Sequence, residues 1–240
     1  MDCGSPYEPL LMYSDYRVSR NVETFKLSPS SYDAVVFTGG ADVDPRMYKR
    51  SRSLLVHFDR GRDLEEAKIY HYARKADIPM LGIGRGMQLL NVLTGGTLIC
   101  DVTGHTEPHM IRVRHHALPF KVNSFHHQIC IPHEDTHILA WAMPGVSKHY
   151  TADDGTEIKY YGPEIEAIYN QEKRVAGVQW HPEVDIDKKL TIHRIAVNYF
   201  RILLDALVKK PREEIDRMYQ LNKISINTEA NREVVETLFI

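Results

Sequence analysis

Two segments of this sequence carry side chains that could do chemistry together. Ile78-Pro79-Met80-Leu81-Gly82-Ile83-Gly84-Arg85-Gly86-Met87-Gln88 reads as a buried strand, a sharp turn and the first turn of a helix. That is the build of an elbow that presents a nucleophile, and Gly84 stands at its tip. Far downstream, Gly177-Val178-Gln179-Trp180-His181-Pro182-Glu183 offers His181 as a general base and Glu183 as the carboxylate that orients it. Their i, i+2 spacing puts both side chains on one side of an extended segment. Base, orienter and elbow are present, yet glycine has nothing to attack with. Elbow nucleophiles sit in a strained backbone that glycine adopts without steric cost, so Gly84 preserves the fold while removing the reactive group.

The elements around these residues must bring them together. A strand over residues 32–37 runs into Thr38-Gly39-Gly40, a loop whose backbone amides can come close to a ligand. Helical spacing covers residues 62–75, and a helix from Arg85 to about Leu93 is stopped by Thr94-Gly95-Gly96. Residues 97–168 turn β-rich, with short alternating runs at 111–113, 120–122, 138–142 and 165–168, and residues 174–179 form another buried strand. Residues 188–208 make an amphipathic helix, and a charged helix is expected at 213–221. Val22–Leu27 is expected as a short strand. Residues 2–7 look like the end of a first strand, either very short or with its body upstream, followed by a helix around 8–16. Strands alternating with helices imply an α/β fold, three layers α/β/α around a mainly parallel central sheet, with ligands beyond the carboxyl ends of the strands. The division expected is one domain over 1–208 and a helical or extended tail over 209–240.

Composition narrows the function classes. The 240 residues carry a net charge of −2, which gives no basic face for nucleic acid. No run is long and apolar enough to span a membrane, and the start lacks a signal-peptide pattern. Three cysteines without CxxC spacing fit reduced, mostly buried thiols in a cytoplasmic protein. Thirteen histidines are many, but no HExxH or paired Cys/His spacing accompanies them, so no metal and no cofactor are expected. The Gly82–Gly84 pair lacks the third glycine of a dinucleotide fingerprint.

Several blocks together resemble the class I glutamine amidotransferase superfamily, which has a flavodoxin-like fold. The nearest likeness is to its hydrolase branch, the γ-glutamyl-γ-aminobutyrate hydrolase-like (peptidase) family. The blocks are Thr38-Gly39-Gly40-Ala41-Asp42-Val43-Asp44-Pro45, Arg62-Asp63-Leu64-Glu65, residues 79–91 with Gly95-Gly96-Thr97-Leu98, Val122-Asn123-Ser124-Phe125-His126-His127-Gln128, Ile165-Glu166-Ala167-Ile168 and residues 177–183. They run in the family's order. The family elbow reads G-I-C-R-G-M-Q, and here the cysteine is Gly84.

The resemblance implies a catalytic set of the position of Gly84, His181 and Glu183. In the family the cysteine thiolate attacks a γ-glutamyl amide carbon and forms a thioester, while the histidine protonates the leaving amine and activates water. It also implies an oxyanion hole from the backbone amides of Gly40 and Arg85, with Gln88, His126, His127 and Gln128 lining a glutamyl pocket. The Arg85 side chain by itself reads as solvated. The implied ligand is a small γ-glutamyl compound, and a homodimer is expected on the resemblance alone. The chain as written should not turn over. Retention of base and orienter favours deliberate replacement of a cysteine over natural loss of catalysis. The alternatives are a natural binding protein for a γ-glutamyl ligand and a glutaminase subunit that passes ammonia to a partner synthetase.

Overall fold

The computed structural model describes residues 7–12, 16–185, 191–211 and 214–215. Helices α1 (Tyr7–Leu11) and α2 (Val22–Leu27) precede strand β1 (Val35–Phe37), helix α3 (Arg60–Lys75), strand β2 (Met80–Ile83) and helix α4 (Arg85–Leu93). A β-rich stretch follows: β3 (Thr97–Ile99), β4 (Asp101–Val102), β5 (His109–Val113), β6 (Phe120–Val122), β7 (Ile129–Ile131) and β8 (His137–Ala142). After it come β9 (Tyr150–Thr151), β10 (Glu157–Ile158), β11 (Ile165–Asn170), β12 (Val175–Val178) and helix α5 (Thr191–Lys209).

The main sheet has seven strands in the order β1-β2-β12-β11-β8-β5-β6. Its two faces bury different side chains, with register shifts in the β11–β8 ladder around Ala167. Met80, Ile168 and Val175 point to α3 and α4, whereas Leu81, Ile83, Ala167, Ala176 and Val178 point to α1 and α5. This is the expected three-layer α/β arrangement. Parallel pairing is confined to β1, β2 and β12; the other four pairings in the sheet are antiparallel. The short connections from β5 to β6 and from β11 to β12 leave no length for a crossover helix, so those strands return antiparallel. On α5, Ala196, Phe200, Leu203 and Leu207 make a fully buried stripe at helical spacing.

One expected element is a different one. Val22–Leu27 is a helix, not a strand. The Asn21 side chain accepts the Thr24 N–H at 2.9 Å and caps it. Only Phe25 is buried in this segment, edge-on to Tyr32, so no alternating face exists for a sheet to cover. The first helix spans Tyr7–Leu11, shorter than expected. The strand expected before it lies outside the described residues, as does most of the helix expected at 213–221. Residues 214–215 are helical, and Ile215 packs into the α5 side of the core.

The three parallel strands decide where the site falls. β2 lies between β1 and β12 in matching register, Val36 and Ala176 both opposite Leu81, so all three strands end at one edge. There β1 passes into Thr38-Gly39-Gly40, β2 into the Gly84 elbow and β12 into the segment with His181. The Gly84 N–H donates to the Val178 carbonyl at 2.9 Å, which carries the β2–β12 ladder up to the elbow.

Candidate active site at the ends of the parallel strands

Gly84 takes φ 55° and ψ −117° and is the residue before α4. Side-chain-bearing residues adopt that conformation only with strain, so glycine is at ease here. Its carbonyl accepts the Met87 and Gln88 amides at 3.0 and 3.2 Å, which starts the helix immediately. The turn is tight because α4 crosses close to the sheet: a Cβ at Gly86 would collide with the Phe37 carbonyl. A Cβ on Gly84 would lie 2.6 Å from His181 Nε2. The distant histidine and the elbow therefore share one place, as the sequence implies.

Glu183 holds the opposite face of that imidazole, with Oε1 at 2.6 Å from Nδ1. The contact is made differently from the extended geometry expected. Residues Pro182–Val184 form a 3₁₀ turn that folds Glu183 back toward His181. The carboxylate accepts from Nδ1, so the neutral ring carries its lone pair at Nε2, facing Gly84. The His181 side chain is 18% exposed and thus reachable from solvent.

Two residues that the sequence did not single out for a role position this pair. Asn123 brackets the His181 backbone. Its Oδ1 accepts the His181 N–H at 2.8 Å, and its Nδ2 donates to the His181 carbonyl at 2.8 Å and to Asp185 at 2.8 Å. Tyr7 bridges the carboxylate and the glycine loop: its hydroxyl bonds Glu183 and accepts the Gly39 N–H at 3.1 Å. Burial, and then the Glu183 charge, push the Tyr7 phenol up to about 12, so it remains a donor at neutral pH.

Gly39 completes the convergence, since a Cβ there would meet His181 Cε1 at 2.6 Å. The Gly39-Gly40 loop is clamped by Arg62, which donates to the Gly39 carbonyl at 3.0 Å and to Thr38 Oγ1 at 3.0 Å. A Cβ at Gly40 would collide with the same guanidinium. Arg62 also pairs with Glu66 at 2.6 Å, and Glu66 pairs with Arg85. Arg85 in turn pairs with buried Asp63, whose Oδ2 accepts the Asp44 N–H at 2.8 Å. The Arg85 side chain is therefore buried, not solvated. It belongs to a chain of alternating charges, Arg62–Glu66–Arg85–Asp63, that links the glycine loop to the first residue of α4. The amide of Arg85 is one of the helix-start donors without an intrahelical acceptor.

The expected glutamyl-pocket residues part company. Gln88 lies one turn into α4, buried, with Nε2 3.4 Å from Gln179 Oε1. His127 turns outward, bridging Asp42 after the glycine loop at 3.1 Å and Asp101 at 2.8 Å. The Asp42 hydrogen bond, then Asp101, outweigh burial and raise His127 to about 9. His126 and Gln128 turn inward. Gln128 donates to the Cys100 carbonyl at 3.1 Å. His126 joins a buried group of His105, His109, Glu164 and Glu166 under β11. The alternation of a β-like segment, His126 in and His127 out, was the available signal for this split.

Among the described residues no helix is long and apolar enough to cross a membrane, and Cys100 and Cys130 are free and buried. Comparison with known proteins places this geometry in a family. The glutamine amidotransferase-like protein YvdE of Lactococcus lactis is 34% identical over 172 residues, covering 63% of this chain and 66% of that protein. Protein NtpR of Enterococcus hirae is 29% identical over 177 residues, covering 63% of this chain and 67% of that protein. The chain thus spans about two thirds of the length of these relatives. The glutaminase domain of Trypanosoma brucei CTPS, solved with bound acivicin, superposes with a TM-score of 0.51 over 86% of each chain. At 12% identity that likeness speaks to the fold alone. The peptidase C26 profile matches residues 18–183, and the chain belongs to the peptidase C26 family within the class I glutamine amidotransferase-like superfamily.

Proposed function

We propose that the cleft is a γ-glutamyl amide hydrolase site from which the nucleophile has been removed. The reading rests on one observation: a side chain at position 84 would start 2.6 Å from His181 Nε2, whose ring is held from behind by Glu183. A thiol there would give its proton to Nε2, attack the γ-carbonyl carbon and form a thioester. The Gly40 and Arg85 amides would receive the oxyanion, and the protonated ring would then donate to the departing amine. Water, deprotonated by the same nitrogen, would release glutamate. With glycine at 84 the first bond cannot form, so the chain binds such a compound and leaves it intact.

The test is Gly84→Cys assayed against γ-glutamyl amides. Amide hydrolysis that thiol alkylation abolishes is the expected result; cleavage of none of them would end this reading. One observation favours a second reading, a binding protein. A Cβ 2.6 Å from Nε2 is closer than real side chains approach, so the imidazole already stands partly in the nucleophile's space. If Gly84→Cys binds a γ-glutamyl amide by calorimetry as the parent does but never turns it over, binding is the function. Ammonia transfer to a synthetase is the role suggested by the relatives' amidotransferase names. Hydrolysis of γ-glutamyl amines by Gly84→Cys without any partner would count against it.

A further inference from the structure

Under β11 lies a second constellation that the cleft does not use. His105 and Glu166 are 0% exposed, and His109 and His126 are 6% and 5% exposed at the side chain. Three imidazole nitrogens converge on a single oxygen. Glu166 Oε1 is 3.2 Å from His105 Nδ1, 3.0 Å from His109 Nε2 and 3.4 Å from His126 Nε2. The rings pack against one another, with centroids 4.8 Å apart for His105 and His109 and 4.5 Å for His105 and His126.

The other nitrogen of each ring is already committed to an atom that can only accept. His109 Nδ1 faces the Glu107 carbonyl at 3.2 Å, His126 Nδ1 faces the Gln128 carbonyl at 3.0 Å, and His105 Nε2 faces Glu164 Oε2 at 3.2 Å. Each of those nitrogens must therefore carry the proton. In the neutral rings, the three remaining nitrogens are acceptors that stand within 3.4 Å of Glu166 Oε1, itself an acceptor, and only His109 Nε2 is aligned with it for a hydrogen bond. Four acceptors thus meet in a place closed to water. His105 Nδ1, His126 Nε2 and Glu166 Oε2 are buried without a hydrogen-bond partner. A proton satisfies one such contact; a cation at the centre satisfies all of them.

We propose that His105, His109, His126 and Glu166 form a closed site for one divalent late transition-metal ion, with zinc the best match. Three imidazoles and a carboxylate are a zinc donor set: the three nitrogens stand 3.0–3.4 Å from Glu166 Oε1, near the edge of about 3.3 Å in a tetrahedral site with bonds of about 2.0–2.1 Å, and the donor atoms of His105, His109 and Glu166 all lie within 4.8 Å of one another. Imidazoles that ligate a metal characteristically donate their second N–H to a carbonyl or carboxylate, as all three do. Glu164 serves His105 in that way and is itself held by the Val146 and Ser147 amides at 2.7 and 2.9 Å and by the Tyr150 hydroxyl at 2.7 Å. The charges close as well: a dication, Glu166 and Glu164 sum to zero with neutral rings. The absence of HExxH or paired Cys/His spacing hid the set, because its ligands come from three separate segments. The ion would pin β11, β5 with the turn before it, and the segment from Asn123 to Gln128.

The test uses the whole protein, stripped with chelator and reloaded with zinc or cobalt. Mass spectrometry should find one equivalent per chain, cobalt should show the intense visible bands of tetrahedral coordination, and zinc should raise the melting temperature of stripped protein. His109→Ala and Glu166→Gln should abolish uptake. Glu164→Gln should weaken it about 10–100-fold. His149→Ala, an exposed histidine paired with Glu157, should retain the full equivalent. Where the cluster variants fail to fold, the unsubstituted chain decides: no retained metal, or cobalt bands of octahedral type, overturns the proposal. Loss of the equivalent in His149→Ala would overturn it too. Neither outcome depends on the reading of Gly84.

Discussion

His181 and the His105 group use the same two side-chain types and arrive at different chemistry. At the strand ends a single carboxylate holds Nδ1 of His181, and Nε2 is left facing the Gly84 α-carbon beside solvent. Under β11, each imidazole gives one nitrogen to an acceptor in the wall and turns the other toward Glu166, with His105 and Glu166 wholly buried. The difference lies in what ends each network. An imidazole with one uncommitted nitrogen at a cleft can take and return a proton during a reaction. Imidazoles whose every nitrogen faces protein can only hold a charge in place. Histidine next to glutamate is thus no signature by itself; exposure and the second partner of each ring assign the role.

That contrast can be broken by substitution. The largest effect is expected at Gly84→Cys, from no turnover to measurable hydrolysis, accompanied by about 1–3 kcal/mol of lost stability because cysteine must enter the φ 55° conformation. Retained stability in urea unfolding would show that the elbow is relaxed. In that background Glu183→Gln should lower kcat by about 10²–10⁴-fold through a misdirected imidazole tautomer, with little change in unfolding free energy. Under β11 the same substitution should act the other way. Glu166→Gln is expected to cost about 3–5 kcal/mol, since it removes the centre of a buried charge network. A Glu183→Gln that unfolds the protein beside a harmless Glu166→Gln would invert the comparison.

The smallest effect sharpens it at the cleft's supporting side. Buried Asp44 accepts from Arg46 at 2.6 Å and from Arg60 at 2.9 Å. The hydrogen bond from Arg46 outweighs burial and, with Arg60, lowers its carboxyl from the ordinary 3.8 to about 2. A folded-state value below the unfolded one stabilises the fold above about pH 4, and that contribution is lost as pH falls through about 2. Asp44→Asn should cost about 2 kcal/mol at neutral pH, and the two proteins should converge near pH 2. A difference that persists in acid would assign the effect to packing.

Much of the site is legible along the chain because its signals are local. The helix over Arg85–Leu93 has the bounds that its glycines dictate, and the elbow follows from a buried strand meeting that helix. Local signals also misled where two of them competed. Val and Phe in residues 22–27 favour a strand by propensity, and the Asn21 cap overrides them. The spacing of His181 and Glu183 was read for an extended chain, whereas Pro182 begins a 3₁₀ turn that brings them together by another path. Tyr7 and Asn123 carried no signal at all, because each acts on residues more than thirty positions away.

The sequence by itself determined which chemical groups exist, that the nucleophile position holds a glycine, and that three strands end in the segments carrying the loop, the elbow and the base. Those facts depend on residue type, period and turn chemistry, which act over a few positions. The tertiary structure alone decided which partners those groups meet. It folded Arg62, Glu66, Arg85 and Asp63 into one chain of charges that runs from the half-buried loop clamp to the buried Arg85–Asp63 pair, sent His126 inward and His127 outward, and gathered three histidines around Glu166. Contacts of that kind are set by sheet order and helix packing; the alternation along the chain separates His126 from His127 but names none of their partners.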